Sequence, residues 1–187
     1  MQSTDESNQT KTGDYWRFGA MIVTAMAAMF VLMYVNTFEG GHVKWSETRF
    51  YMTFVMGAAM AVIMLSFMLD MYRDRRVNIG IFIASVVVLA GSIWLVRSQT
   101  TVQDESYMSA MIPHHSIAIL TSERSEIEDV RVCELAVEII EAQRREIAEM
   151  EWLIEDIEAN GPAATPTEAE QRPLPDFTGD ATRDCSN

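Results

Sequence analysis

Cysteine, histidine and basic charge are all scarce in this chain, and each scarcity closes off a class of chemistry. The two cysteines, Cys133 and Cys185, stand far apart without metal-ligand spacing. That excludes a multi-bridge disulfide framework and a cysteine zinc site. Cys185 falls in a stretch expected to be disordered, so a bond between the two is not expected either. No Gly-rich phosphate loop occurs, and Cys133 has no histidine in its sequence neighbourhood. Nucleotide chemistry and a thiol nucleophile therefore have no support, and an enzyme is not expected. Lys and Arg number 14 against 27 Asp and Glu, a net charge of −13. The deficit is uneven: residues 1–103 carry net +1, residues 104–158 net −11 and residues 159–187 net −3. So acidic a second half repels nucleic acid and attracts cations.

Charge is missing altogether from three long runs. Phe18–Phe38 has 21 uncharged residues, Phe50–Leu69 has 20 and Ile79–Val96 has 18. Each is long enough to cross the ~30 Å hydrocarbon core of a bilayer as a helix. Tyr15, Trp16, Trp45, Tyr51, Tyr72 and Trp94 sit near their ends, as aromatic residues do at an interface. Residues 1–17 are polar and lack the basic lead of a cleavable signal. The expected order is a polar segment (1–17), three membrane-spanning helices (18–97), a linker (98–103), a soluble helical hairpin (104–158) and a disordered acidic tail (159–187). Lys11, Arg17, Arg73, Arg75 and Arg76 flank one side, against Lys44, Arg49 and Arg97 on the other. That asymmetry predicts a cytoplasmic N-terminus and an extracytoplasmic, periplasmic-type C-terminal region. No charge inside the spans means no proton or ion pump. The methionines at 52, 56, 60, 64 and 68 wind around their helix, so they read as adaptable packing.

Only three methionines lie outside the apolar runs, their flanks and the first position: Met108, Met111 and Met150. On a helix, Asp104, Met108, Met111 and His115 share a stripe about 60° wide. Burial alone would place Leu or Ile there. Met150 belongs to a second helical stripe with Ile139, Gln143, Glu146, Leu153 and Ile157. Pro113 predicts a kink or a fresh helix start just before His114 and His115. A short turn near residue 128 pairs the two helices antiparallel. Met108 then faces Ala148, Met111 faces Arg145, and His115 faces Glu141. Gln143, Glu146 and Met150 lie within a helical turn of those points.

The ordered set Met-Ile-Pro-His-His, Leu135-Ala136, Ile139-Ile140, Ala142-Gln143, Glu146-Ile147 and Met150-Glu151-Trp152-Leu153 resembles the bacterial domain-of-unknown-function 305 family. The resemblance covers about residues 104–158. It implies that the antiparallel two-helix hairpin is half of a ferritin-like four-helix bundle; with the three transmembrane helices read from the apolar runs, the expected fold is all-α. Some members of that family are extracytoplasmic proteins that bind copper through methionine and histidine. Carried over by position, the metal ligands are Met108, Met111, His114, His115 and Met150, with Asp104, Gln143 and Glu146 in support. Thr121 stands where the family usually has a further methionine, and this chain has one histidine-pair unit where fuller members have two.

Thioethers suit Cu(I), and imidazole suits copper in either state as well as zinc. A ferritin-like di-iron centre needs Glu-x-x-His pairs, and neither His114 nor His115 has a Glu three residues earlier. The expected function is a membrane-anchored copper-handling protein; the alternative is a structural or regulatory protein whose acidic hairpin docks a partner. Membrane lipid and a metal ion are the expected partners. A homo-oligomer is expected too, because Leu135, Ile139, Ile140, Ile147, Ile154 and Ile157 present an apolar face that a lone hairpin leaves uncovered.

Overall fold

Helical periodicity and uncharged runs predict an all-α chain, and that is its architecture. The computed structural model describes residues 3–185, with side chains from Asp14 onward. Its helices are α1 (Ser3–Leu32), α2 (Glu47–Phe67), α3 (Arg75–Ser98), α4 (Asp104–Arg124), α5 (Val130–Asn160) and α6 (Pro166–Gln171). A short 3-10 turn occupies Gly40–His42, and no strand occurs among the described residues.

The chain folds as two compact units, one holding residues up to Met33 with Thr48–Thr101, the other Tyr34–Glu47 with residues from Val102 on. In the first unit, Asp14–Leu32, α2 and α3 are each long and apolar enough to cross a membrane. Phe18, Ile22, Ala61, Leu65 and Tyr72 form its core, with Met26, Met60, Met64 and Met68 packed against them. Gly57 lets the Met26 thioether lie directly on α2, where a Cβ would collide with it. Only 11%, 28% and 11% of the three most apolar windows are buried, so most of this apolar surface has no cover within the described residues. Water would impose a large cost on such a surface, and hydrocarbon none.

The first span is shorter than its uncharged run. Instead of Phe18–Phe38, the candidate span stops at Leu32, and Thr37 Oγ1 donates to the Tyr34 carbonyl in the turns that follow. Phe38 leaves the membrane-type unit altogether and packs on Ile112, Ile119 and Ile147 of the second. Residues expected as a polar lead are also helical, since α1 begins at Ser3.

In the second unit α4 and α5 pair as the expected hairpin. Ser106 Oγ closes the start of α4 by accepting from Gln103 N at 3.1 Å, and Asp129 caps α5 by accepting from Arg131 N at 2.9 Å. The acidic first turn of α4 suits the positive end of the helix dipole. Helix α4 runs through Pro113 without a break, with that ring fully buried. Gly161, at φ 77°, ends α5 in a conformation that favours glycine.

The tail is not the disordered segment its composition predicts. Cys133 and Cys185 are joined by a disulfide across 52 residues. Arg183 donates to the Ser122 carbonyl at 2.7 Å and the Ser125 carbonyl at 3.0 Å. Those carbonyls belong to the end of α4, where backbone acceptors lack helical partners and a cation meets the negative end of the dipole. Thr182 Oγ1 donates to Glu123 at 2.7 Å, and Arg172 pairs with Asp156 at the other end of the strap. Gly179 lies so close to the Glu141 carbonyl that any side chain would strike the backbone. Five placed residues hold a segment that has no apolar period, which is why composition misses it.

Candidate metal centre on the hairpin

His115 is buried and both ring nitrogens are engaged. Nδ1 lies 2.9 Å from the Met111 carbonyl, one turn back on its own helix. A carbonyl only accepts, so Nδ1 carries the hydrogen. Nε2 then points across the hairpin to the Glu146 carboxylate at 2.8 Å. Neutral imidazole with hydrogen on Nδ1 has a lone pair at Nε2, so this contact needs either a shared proton or a cation. A backbone carbonyl fixing one nitrogen while the other faces a site is the usual arrangement behind metal-binding histidines.

The His115–Glu146 contact also sets the register. In an antiparallel pair, one step back on α4 matches one step forward on α5, so Met111 falls opposite Met150. The expected pairings of His115 with Glu141 and Met111 with Arg145 are corrected by five residues. The physical reason is the connection between the helices. Ser125 and Asp129 have extended backbone (ψ 139° and 119°), and no helix forms between them. This five-residue non-helical connection lets the chain run roughly 10 Å past the end of α4 before α5 turns back, on a rise of about 1.5 Å per helical residue.

His115 thus meets Glu146, and this register sets Met111 and Met150 one turn further along their helices. Met108, one turn further, is buried at 6% exposure. Met150 packs against the Ile112, Ile119 and Ile147 core. His114 is exposed, its ring 6.1 Å from that of His115 and turned 73° to it. Asp104 is exposed in the first turn of α4, three turns from His115. Gln143 is half-buried, nearly one turn before Glu146 and on the side away from Met150. Among the described residues no three imidazole, thiolate or carboxylate groups gather as a metal cluster. Any further donors beside His115 would be thioethers, which are soft ligands that suit Cu(I).

Sequence reasoning passed over a second polar contact. Ser116, fully buried, accepts from Phe38 N at 2.7 Å and lies 2.9 Å from His42 Nδ1. His42 Nε2 is 3.9 Å from Glu39. The segment Tyr34–Glu47 is thereby latched onto the hairpin, beside a cavity of about 260 Å³ that Arg144, Thr178 and Asp180 also line. Phe38 covers part of the apolar face that a second copy was expected to cover. The only advance signal was an uncharged run longer than a span needs. Ser116→Ala leaves the Phe38 N–H buried without an acceptor and should cost about 1–3 kcal/mol. Thermal unfolding of the purified full chain measures this; a melting temperature equal to the parent's would show the latch to be idle.

Residues 95–180 match the family described as domain of unknown function (DUF305). The match runs past the hairpin, so most of the tail strap lies within the domain. The chain is similar to uncharacterized protein L153 of Acanthamoeba polyphaga mimivirus, 28% identical over 144 residues that cover 73% of this chain and 93% of that protein. An alignment of that length also reaches back into the apolar helices before residue 95. No solved structure matches.

Proposed function

For a chain that carries a DUF305 domain behind three membrane-length helices, we propose a membrane-anchored, extracytoplasmic protein that binds Cu(I) on its hairpin. The observation that carries this reading is the fixed orientation of His115, whose Nε2 faces Glu146 on α5; the same register would set Met111 against Met150. His115, Met111 and Met150 would hold the ion, with Met108 and His114 as flanking donors. Glu146 keeps the imidazole aimed and, being partly exposed, is free to swing aside. Cu(I) bound there would be held for transfer or sequestration.

Three features support the placement. The Cys133–Cys185 pair belongs in an oxidising compartment outside the cytoplasm. Arginines crowd the loop between α2 and α3, as positive-inside loops do. Three spans put the segments after the first and third on one side, and Tyr34–Glu47 and the residues from Val102 on form one unit.

A second reading has its own observation. Both nitrogens of His115 already have protein partners, and Met150 contributes to core packing, as a purely structural hairpin would have it. Titration of the full chain in detergent with Cu(I) under a competing chelator separates the two. Met111→Leu with Met150→Leu keeps volume and burial, so melting should stay within about 1.5 kcal/mol of the parent in stability. Cu(I) affinity should fall by roughly tenfold or more per lost donor. If the double variant binds as tightly as the parent, the methionines are packing and the structural reading stands.

A further inference from the structure

The membrane-type unit contains a polar cavity that the copper reading does not use. It has a volume of about 570 Å³ and is walled by Tyr15, Tyr72 and the run Arg73-Asp74-Arg75-Arg76, with Asp14 and Met71 at its edge. These residues belong to the start of the first span, the end of the second and the start of the third. Alternating spans bring those three ends to one surface, at the depth of the lipid headgroups.

The corner beneath the arginines is fixed by hydrogen bonds. Tyr15 OH donates to Asn78 Oδ1 at 2.8 Å and accepts from Asp74 N at 3.2 Å. Asn78 Nδ2 donates to the Tyr72 carbonyl at 2.6 Å, and the Tyr15 and Tyr72 rings lie 5.0 Å apart. Asn78 and Tyr72 are buried. The Asp74 carboxylate is committed to backbone, accepting from Arg76 N and Val77 N. Among the described residues no carboxylate forms an ion pair with Arg73, Arg75 or Arg76; Arg73 Nε reaches only the Asp70 carbonyl, at 3.2 Å. On this hydrogen-bonded corner, where Asp14 and Asp74 also line the cavity, these three guanidiniums offer the bidentate donor geometry that suits a phosphate diester.

Exposed apolar groups lie in the lining and next to it in sequence. Met71 is 56% exposed and Trp16, beside Tyr15, is 77% exposed. A free anion has no use for them, whereas an acyl chain does. We propose that this cavity binds the headgroup of an anionic phospholipid, phosphate on the arginines and chain against Met71 and Trp16. A zwitterionic headgroup is disfavoured, because its ammonium would meet the guanidiniums.

The test is native mass spectrometry of the full chain in nonionic detergent, supplied with phosphatidylglycerol or phosphatidylcholine. The parent should retain phosphatidylglycerol in preference. Arg75→Gln with Arg76→Gln should lower that retention by about tenfold or more, on a scale of about one arginine's surface attraction per substitution. Arg97→Gln removes the same charge at the other end of α3 and should leave retention unchanged. All these arginines are exposed, and Arg73→Gln alone should show a smaller loss in the same direction. Excess inorganic phosphate should not displace the lipid. Equal retention of phosphatidylcholine, equal loss in Arg97→Gln, or displacement by inorganic phosphate would each overturn the proposal.

Discussion

Reducing the Cys133–Cys185 bond, or replacing both cysteines by serine, should destabilise the second unit by about 2–4 kcal/mol. The bond closes a loop of 52 residues, and an unfolded chain free of that closure gains the corresponding entropy. The loss has a local component as well, because Arg183 and Thr182 lose the covalent anchor two and three residues away. Reduced protein should therefore expose residues 161–185 to limited proteolysis while α4 and α5 remain protected. Part of the strap's contribution should also be lost in acid, and the intact form should show that loss more than the reduced one. Burial pushes the Glu123 carboxyl up, but hydrogen bonds from the Thr182 hydroxyl and backbone, with the Arg144 guanidinium, outweigh it and hold the group below the ordinary carboxylate range. A lowered value in the folded state contributes stability at neutral pH and loses it as pH falls through that value. Melting with and without reductant, at neutral and acidic pH, checks both parts. An identical melting temperature in reductant would mean that the strap contributes nothing.

The second large effect belongs to the hairpin core. Ile112 is fully buried, next to Met111 in sequence, and packs with Ile119 and Ile147. Ile112→Ala should cost about 2–5 kcal/mol, the transfer term plus the cavity left behind. The donors on the neighbouring rungs remain, so Cu(I) should still raise the melting temperature of this variant by mass action. The methionine double variant should behave in the opposite way, melting like the parent and losing the copper-dependent rise. Calorimetry of both proteins with and without Cu(I) makes the comparison. Should Ile112→Ala lose the copper response too, packing and ligation at this site would be one property.

Helix positions were legible because they rest on local signals. The apolar periods, the Asp129 cap and Gly161 place α4 and α5 within a few residues. The run from Phe18 to Phe38 misled because absence of charge reports only that a residue tolerates an apolar surrounding. Phe38 tolerates the hairpin core as well as it would tolerate lipid. Helical spacing put Met108, Met111 and His115 on one stripe, and His115 does meet Glu146, yet the pairing across the hairpin was misjudged. Register depends on the backbone of residues 125–129, and their sequence does not reveal that both ends of this connection, Ser125 and Asp129, are extended. The strap escaped notice for a related reason. Its hold depends on single long-range contacts from Arg172, Thr182, Arg183 and Cys185, and none leaves a periodic trace.

The latch between Phe38 and Ser116 has a consequence for biosynthesis. Its two halves are 78 residues apart, and two whole spans are made between them. In the proposed topology, residues 34–47 would emerge early and wait, their backbone donor unmet, until the last helices arrived on the same face of the membrane. The domain would then act as a check on insertion: a chain that skipped or inverted one span would strand Phe38 across the bilayer from Ser116. Such a chain would carry an open core, and quality-control proteases would have a ready handle on it.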